Sequence, residues 1–301
     1  MQKEEMAGLT CNEYFYEGAG LLEEFAGIRS VAGIWAEDFL WAHRGVRLAA
    51  VRWIGSGEVV MGEKLSYDDS LPLTPERILH VFNNQACLQA EIEPEELVQF
   101  TFKWFASWFP FFSGKTVQAV SLGAGWGLYE SYLAYVLFAH YPHLAPRFML
   151  VDGAPNMTKL SMKVATEIYG GMSISKNLPL FDCVRAVTAD MANTGLLSGC
   201  ADVVCCFNAI HWASDPRMVV REMVRLLNPK GLGLLFVVNS SAGVRVSHGL
   251  KDRNHIPLKN GIPTPELIEM FRAVSVVPIT QTDLATSNGG FSRSFIVLGK
   301  V

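Results

Sequence analysis

The stretch Val120-Ser121-Leu122-Gly123-Ala124-Gly125-Trp126-Gly127 decides the fold, because an apolar strand ends there in three glycines at alternate positions. A glycine turn between a strand and a helix lets a ligand touch the main chain, and the N–H groups at the helix start suit a carboxylate or phosphate. Around this turn, short β-rich runs alternate with helical stretches. The runs are 117–122, 148–152, 184–188, 203–207 and 232–238. Continuous apolar strands separated by helices indicate a parallel sheet covered on both faces.

Prolines after turn residues mark the helix starts in this part of the chain, because proline presets φ and has no N–H to leave unpaired in the first turn. The expected helices are about 155–169, 215–227 and 265–272. The last two β-rich runs, 274–280 and 294–300, are separated by a loop too short for a crossover. The sequence therefore predicts an α/β fold with a mostly parallel sheet that ends in an antiparallel pair.

The first 115 residues follow another pattern, which predicts a cap over 1–115 ahead of a sheet domain over 116–301. Val46–Trp53 and Val59–Lys64, joined by a Gly-Ser-Gly turn, predict a β-hairpin. Helices are expected to start at Thr74-Pro75-Glu76 and Glu93-Pro94-Glu95, where acids in the first turn favour the helix dipole. The N-terminal region is thus predicted to be a helical and hairpin cap.

Aromatic residues crowd the end of this cap, over 100–112, and lie on every side of any helix drawn through it. One interpretation is a helix buried against the sheet domain. The other is an aromatic wall of a substrate pocket, or the contact surface of a homodimer.

Composition and charge exclude several classes of protein. The 301 residues carry a net charge of −4, so no excess of cations is available for a nucleic acid backbone. No stretch approaches the roughly 18 unbroken apolar residues of a membrane span, and the acidic start resembles no signal peptide. The six cysteines show no C-x-x-C spacing. We therefore expect a cytoplasmic protein with reduced thiols that binds neither nucleic acid nor membrane.

Polar residues follow three of the predicted strands. Asp152 ends the second strand, where its carboxylate can accept hydrogen bonds from both hydroxyls of a ribose. After the third strand, Asp190 places an acceptor for an adenine amino group beside Met191, whose side chain can lie on the ring. With the glycine turn, these residues indicate an adenosine-containing ligand. A dinucleotide fingerprint would need a small residue where the chain has Leu128, which disfavours an NAD(P)-dependent oxidoreductase.

From about 116 to 301 the chain resembles the class I S-adenosylmethionine-dependent methyltransferases. The resemblance implies a doubly wound, mostly parallel seven-stranded sheet with an antiparallel last strand. It also implies S-adenosyl-L-methionine as cofactor and S-adenosyl-L-homocysteine as product. The implied contacts are Gly123, Ala124 and Gly125 around the methionine part, Asp152 with Gly153 at the ribose, Asp190 and Met191 at the adenine, and Asn208 at the methionine end.

One position departs from the family pattern. The family usually has an acid two residues before the first glycine, and this chain has Ser121, whose hydroxyl can accept a hydrogen bond but supplies no counter-charge. Ser121 is the feature that favours a third interpretation, a catalytically silent member of the fold that serves as a partner subunit.

The preferred function is methyl transfer to a small-molecule acceptor. O-methylation of a hydroxyl or a carboxylate is preferred, and a carbon or nitrogen acceptor is the alternative. His211 is the candidate base for a hydroxyl acceptor; otherwise it lines the pocket beside Trp212 and orients the acceptor. Tyr16 belongs to a segment that resembles the aromatic stretch packing over the cofactor in this family.

Two further features concern metal and acceptor charge. His140 and His143 have Pro142 between them and no acidic or thiol ligand nearby in sequence, so no metal site is expected. The connection 239–263 carries four Lys or Arg residues, Arg245 among them, against Asp252 alone. Those cations either keep a solvated loop in water or meet an anionic acceptor when the loop closes.

Overall fold

The computed structural model describes residues 38–46, 48–50, 52–53, 56, 76, 79, 95–109, 116–140, 146–171, 183–240, 262, 264–274, 276–285 and 291–300. Their elements, in chain order, are α1 (Glu95–Ala106), β1 (Gln118–Leu122), α2 (Leu128–His140), β2 (Arg147–Asp152), α3 (Pro155–Gly171), β3 (Val184–Thr188), β4 (Ala201–Phe207), α4 (Pro216–Leu226), β5 (Leu227–Ser240), α5 (Thr264–Arg272), β6 (Val276–Ala285) and β7 (Phe291–Lys300). The chain divides into two compact units: a glycine-turn unit within 17–64 and 79–188, and a C-terminal unit within 1–16, 65–78 and 189–301.

The glycine-turn unit is built on three parallel strands in the order β3-β2-β1. β2 is the middle strand, with Leu150 opposite Ser121 of β1 and opposite Ala186 of β3. Its apolar side chains Leu150 and Val151 are buried between the neighbouring strands and helices. The predicted parallel sheet and the helix starting at Pro155 are confirmed here.

The C-terminal unit contains the other four strands, in the order β4-β5-β7-β6. β4 and β5 are parallel, whereas β7 runs antiparallel to both β5 and β6. Phe236 of β5 lies opposite Phe295 of β7, and their rings stack with centroids 4.6 Å apart. The predicted antiparallel end of the sheet is confirmed, and the two units together contain seven described strands.

β5 begins earlier than the sequence predicts, at Leu227 rather than near Leu232. Opposite Ala201 of β4 stands Leu227, but opposite Val203 stands Leu232, so extra residues of β5 bulge out between these pairs. The bulge holds the Asn-Pro-Lys-Gly sequence, in which the Lys230 N–H donates to the side chain of Asn228 at 2.9 Å. The expected turn is present, but it lies within the strand.

The hairpin predicted over Val46–Trp53 is wrong for its first strand. Residues 38–46, 48–50 and 52–53, the N-terminal helical segment, are helical, and the second strand, Val59–Lys64, lies outside the described residues. Phe39, His43, Val46, Ala50 and Trp53 are buried, a spacing of three and four that places them on one helix face. The short apolar run around Val46 belonged to this helical period and was mistaken for a strand.

The aromatic segment forms core at the positions that the structure describes. Phe102, Phe105 and Phe109 have no exposed surface. The rings of Phe105 and Phe109 contact Phe148, the second residue of β2, at centroid distances of 6.4 and 5.5 Å. These rings therefore pack at the amino end of β2, the end opposite to Asp152, as the buried-helix interpretation predicts.

Candidate functional site

Three glycines give the turn after β1 its shape. Gly123, Gly125 and Gly127 have φ values of 65°, 55° and 59°, in the left-handed region that glycine adopts without strain. Between them, the Ala124 N–H donates to the Val151 carbonyl of β2 at 3.0 Å, and the Gly127 N–H donates back to Ala124 at 2.9 Å. The turn is thereby fixed beside the carboxyl end of β2.

The second and third glycines serve different purposes. A Cβ on Gly127 would lie 2.4 Å from Cδ1 of Leu150, so this position must be glycine for the turn to pack against β2. A Cβ on Gly125 would meet no atom within 4 Å. The main chain at Gly125 is therefore open to a ligand, which is what a backbone cradle for a cofactor requires.

Asp152 holds the turn from the end of β2. Its Oδ2 accepts a hydrogen bond from the Gly125 N–H at 2.9 Å, and its Oδ1 accepts one from the Ala154 N–H at 2.8 Å. Burial raises the pKa of Asp152, and these two amide donors oppose that rise. Because each carboxylate oxygen has a second lone pair, Asp152 can still accept hydrogen bonds from a ribose.

A buried carboxyl lies beneath the same turn. Glu130, in the first turn of α2, is 2% exposed, and its Oε1 accepts a hydrogen bond from the Ser121 hydroxyl of β1 at 2.5 Å. The sequence analysis missed Glu130 as a site residue. The sequence did contain a signal for Glu130, because it is the one acid in α2. Apart from Ser131 and His140, the other residues of this helix are apolar or aromatic.

Asn208 follows β4 in the C-terminal unit with a φ of 51°, the only positive φ among the described residues other than glycine. Its N–H donates to the Phe236 carbonyl of β5 at 2.9 Å, which fixes the chain as it leaves the strand. A non-glycine residue held in this conformation costs energy and is typical of functional positions. The site role of Asn208 stays a prediction.

Asp190 and Met191 lie in a turn that a buried cluster holds in place. Oδ1 of the exposed Asp190 accepts the Ala192 N–H at 2.8 Å, and Met191 is half-buried. Farther along, the buried carboxylate of Glu222 accepts the N–H and the hydroxyl of Thr194 at 2.9 and 2.6 Å. Hydrogen bonds from Arg225 and Thr194 lower the pKa of Glu222 against the opposing effect of burial. This cluster ties the segment after Met191 to α4.

His211 and Trp212 belong to a short 3-10 helix, Ile210–Trp212, between β4 and α4. His211 is 2% exposed, and its ring centroid lies 5.3 Å from that of Trp212. The following helix α4 starts where predicted, with the side chain of Asp215 accepting the Arg217 N–H at 2.9 Å. His211 is therefore buried beside Trp212, between β4 and α4.

Two of the predicted site residues, Tyr16 and Arg245, lie outside the described residues. Within the described ranges, no three or more His, Cys, Asp and Glu side chains gather as a metal site would require. Of the helices described, none combines the length and the apolar character needed to cross a bilayer.

Comparison with known proteins finds one family model and several similar structures. Residues 120–235 match the family model described as a methyltransferase domain. Geranyl diphosphate C-methyltransferase from Streptomyces coelicolor A3(2) is similar in structure at 14% identity and a TM-score of 0.52, over 77% of this chain and 100% of that one. Magnesium protoporphyrin IX methyltransferase from Synechocystis PCC 6803 is similar at 10% identity and a TM-score of 0.53, over 78% and 100%. No curated protein sequence matches the chain.

The glycine turn fits the ligand of this class of domain. Its main chain is open at Gly125, and Asp152 beside it offers carboxylate lone pairs. The family match begins within β1, three residues before Gly123, and ends in β5. The family model thus matches a methyltransferase domain to residues 120–235, the part of the chain that contains the glycine turn, Asp152 and His211.

Proposed function

We propose that this chain transfers the methyl group of S-adenosyl-L-methionine to a small-molecule acceptor and releases S-adenosyl-L-homocysteine. The observation that carries the proposal is the hydrogen bond from Gly125 to Asp152, which fixes an open glycine turn beside a strand-end carboxylate. When bound, the cofactor supplies an activated methyl group on a sulfonium. The protein's task is then to hold donor and acceptor in line and to exclude water, which can contribute about 7–11 kcal/mol toward the barrier.

The cofactor contacts follow from the site and from the resemblance. Gly123, Ala124 and Gly125 offer main chain to the methionine part, and Asp152, with Gly153 after it, offers acceptors to the ribose. Asp190 and Met191 at the adenine, and Asn208 at the methionine end, are assigned by resemblance to the family.

Oxygen is the acceptor atom that we propose first, in a hydroxyl or a carboxylate, with carbon or nitrogen as the alternative. The support is His211, an imidazole held beside Trp212 immediately after β4. A base in that position would remove the proton of a hydroxyl during transfer, an effect typically worth about 10²–10⁴ in rate. A carboxylate acceptor needs no base, and His211 would then orient the acceptor by a hydrogen bond.

Residues outside the described part complete the proposed acceptor site. Tyr16 of the cap (1–115) and Arg245 of the connection 239–263 are proposed to contact the acceptor together with Trp212 of the methyltransferase domain (116–301). If the acceptor is an anion, Arg245→Ala and Arg253→Ala should raise its KM and abolish the dependence of KM on salt, with cofactor affinity unchanged. A KM that does not respond to salt in the unmodified protein would contradict an anionic acceptor.

Methyl transfer from labelled cofactor tests the function directly. The protein is incubated with methyl-labelled S-adenosylmethionine and fractionated small-molecule extracts, and labelled products are separated by mass. We expect a labelled small molecule in the presence of the protein and none with the Asp152→Ala variant. Cofactor binding without any labelled product would favour the silent partner subunit, and binding of NADH instead would favour the oxidoreductase.

A further inference from the structure

Ser121 and Glu130 tie together the two ends of the glycine turn. Ser121 lies in β1 before the turn and Glu130 in the first turn of α2 after it, and the hydrogen bond between them spans nine positions of sequence. Both side chains are buried, at 1% and 2% exposure. The pair therefore places a buried carboxyl group beside Ser121, two residues before the first glycine of the turn that the proposed cofactor would contact.

A buried carboxyl at this place costs stability unless something balances its charge. Burial raises the pKa of Glu130 to about 7, while the Ser121 hydroxyl and the backbone N–H of Glu130 itself lower it. The hydroxyl and that amide therefore offset only part of the burial effect. With a pKa of about 7, both the acid and the carboxylate form of Glu130 are populated near neutral pH.

The other charged and titratable groups, on the described elements packed against α2, do not offset the effect of burial on the pKa of Glu130. None of them contributes to the pKa of Glu130. They are Asp38, His43, Arg44 and Arg52 of the N-terminal helical segment, Lys103 of α1, Arg147 and Asp152 of β2, Lys159, Lys163, Glu167 and Tyr169 of α3, Arg185 of β3, and Tyr129, Tyr132 and Tyr135 of α2 itself. Asp152, the acid at the same turn, already accepts two amide hydrogen bonds.

The proposed cofactor carries a positive charge, which the pair of Ser121 and Glu130 lacks. S-adenosylmethionine and S-adenosylhomocysteine both carry an ammonium, whereas the N–H groups of a glycine turn favour only the anionic part of a ligand. A carboxylate beneath the turn, in a medium of low dielectric constant, stabilises a cation above it more strongly than it would in water. By the same coupling, a cation on the turn favours the ionised form of Glu130.

We propose that Glu130, held by Ser121, is the counter-charge for the cationic part of the cofactor, and that cofactor binding releases the proton of Glu130 to solvent. The inference rests on the proposed function, because it needs the cofactor on this turn. Glu130 is here a positioning residue that acts through Ser121 and the turn, without touching the reacting atoms. Glu130 thereby supplies a carboxyl group next to Ser121, the position where the family pattern has an acid and this sequence has a hydroxyl.

Titration calorimetry with S-adenosylhomocysteine tests the linkage. Proton release is obtained from the binding heats in buffers of different ionisation enthalpy between pH 6 and 7.5. In the unmodified protein we expect release of a fraction of one proton per cofactor and an affinity that rises severalfold across this range. In Glu130→Gln we expect no release and an affinity that does not change with pH. Glu167→Gln, which removes an exposed acid of the same unit, should behave as the unmodified protein.

Ser121→Ala provides a second variant should Glu130→Gln fail to fold. It removes the hydrogen bond that favours the carboxylate, so the pH at which the affinity rises should move upward. Cofactor binding without proton release, or with the same release in Glu130→Gln, would overturn this inference and leave the proposed function standing. Absence of any binding to the unmodified protein would overturn both.

Discussion

The Gly125 amide donates to Oδ2 of Asp152 at 2.9 Å, so the acid proposed to bind the ribose also fixes the turn proposed to bind the methionine part. The second oxygen of Asp152 accepts the Ala154 amide at the start of α3. Loss of this carboxylate should therefore remove a ligand contact and loosen the turn at the same time.

Asp152→Ala is expected to weaken S-adenosylhomocysteine binding at least tenfold. Hydrogen bonds to a charged group are worth about 1.5–3 kcal/mol each, and tenfold in affinity is about 1.4 kcal/mol. Calorimetry measures the affinity, and circular dichroism confirms the fold. The control is Asp202→Ala at the amino end of β4, whose side chain accepts a hydrogen bond from Asn228. If Asp152→Ala and Asp202→Ala bind S-adenosylhomocysteine equally well, Asp152 is not part of the cofactor site.

Gly125→Ala and Gly127→Ala form a matched pair. Both positions have a positive φ, which should cost an alanine about 1–2 kcal/mol. Gly127→Ala adds the overlap with Leu150, so it should lower the unfolding free energy more than Gly125→Ala does. Gly125→Ala, whose methyl group points into open space, should lose more cofactor affinity per unit of stability lost. Denaturant unfolding measures the loss of stability, and calorimetry measures the loss of cofactor affinity. A larger loss of stability in Gly125→Ala than in Gly127→Ala would contradict the geometry.

The raised pKa of Glu130 predicts a pH-dependent stability. Between the ordinary value of 4.5 and about 7, the folded protein keeps a proton that the unfolded chain has released. The unfolding free energy should therefore fall as pH rises through this window, by up to about 3 kcal/mol at about 1.36 kcal/mol per pKa unit. Denaturant unfolding at pH 5 and pH 8 should show Glu130→Gln gaining stability relative to the unmodified protein. A difference independent of pH would contradict the buried acid.

Sequence periodicity predicted the strands well because their apolar runs are continuous. β3 has the predicted bounds, and β1, β2 and β4 differ from their predicted bounds by one or two residues. The same periodicity failed at Val46–Trp53, where a few apolar residues fit a strand and a helix equally well. The structure shows Phe39 and His43 on the same helix face as these residues. Alternation within a short window carries too little information to separate the two.

The candidate site was predicted where it lies at strand ends, because the sequence pattern locates those ends. The glycine turn and Asp152 were placed by their positions at strand ends, and the structure joins them by a hydrogen bond. Glu130 was missed because its contact with Ser121 depends on how α2 packs against β1, which no local pattern specifies. The same holds for Glu222, whose contact with Thr194 depends on how α4 packs against the segment after Met191.

Phe109→Ala tests the role of the aromatic segment. The ring is fully buried against Phe105 and Phe148, so its removal should lower the unfolding free energy by about 3–5 kcal/mol. Thermal or denaturant unfolding measures this. Leu197→Ala, at a side chain 81% exposed, should change it by less than about 0.5 kcal/mol. A Phe109 variant of normal stability but altered acceptor KM would instead favour the pocket-wall interpretation.

His211→Ala separates the two roles proposed for the imidazole. If His211 is the base, kcat should fall about a hundredfold or more while S-adenosylhomocysteine affinity stays the same. Turnover of the unmodified protein should also fall in acid, as the imidazole gains a proton. His211→Gln, which keeps hydrogen bonding without a basic nitrogen, should be as slow as His211→Ala. Full turnover with a raised acceptor KM would make His211 a positioning residue.

The central claim is that the glycine turn and Asp152 bind the cofactor of a methyltransferase. Parallel calorimetric titrations of the unmodified protein with S-adenosylhomocysteine and with NADH test it most directly. The account predicts saturable binding of S-adenosylhomocysteine with a stoichiometry near one, and no binding of NADH. Saturable binding of NADH, or no binding of S-adenosylhomocysteine to the folded protein, would contradict it.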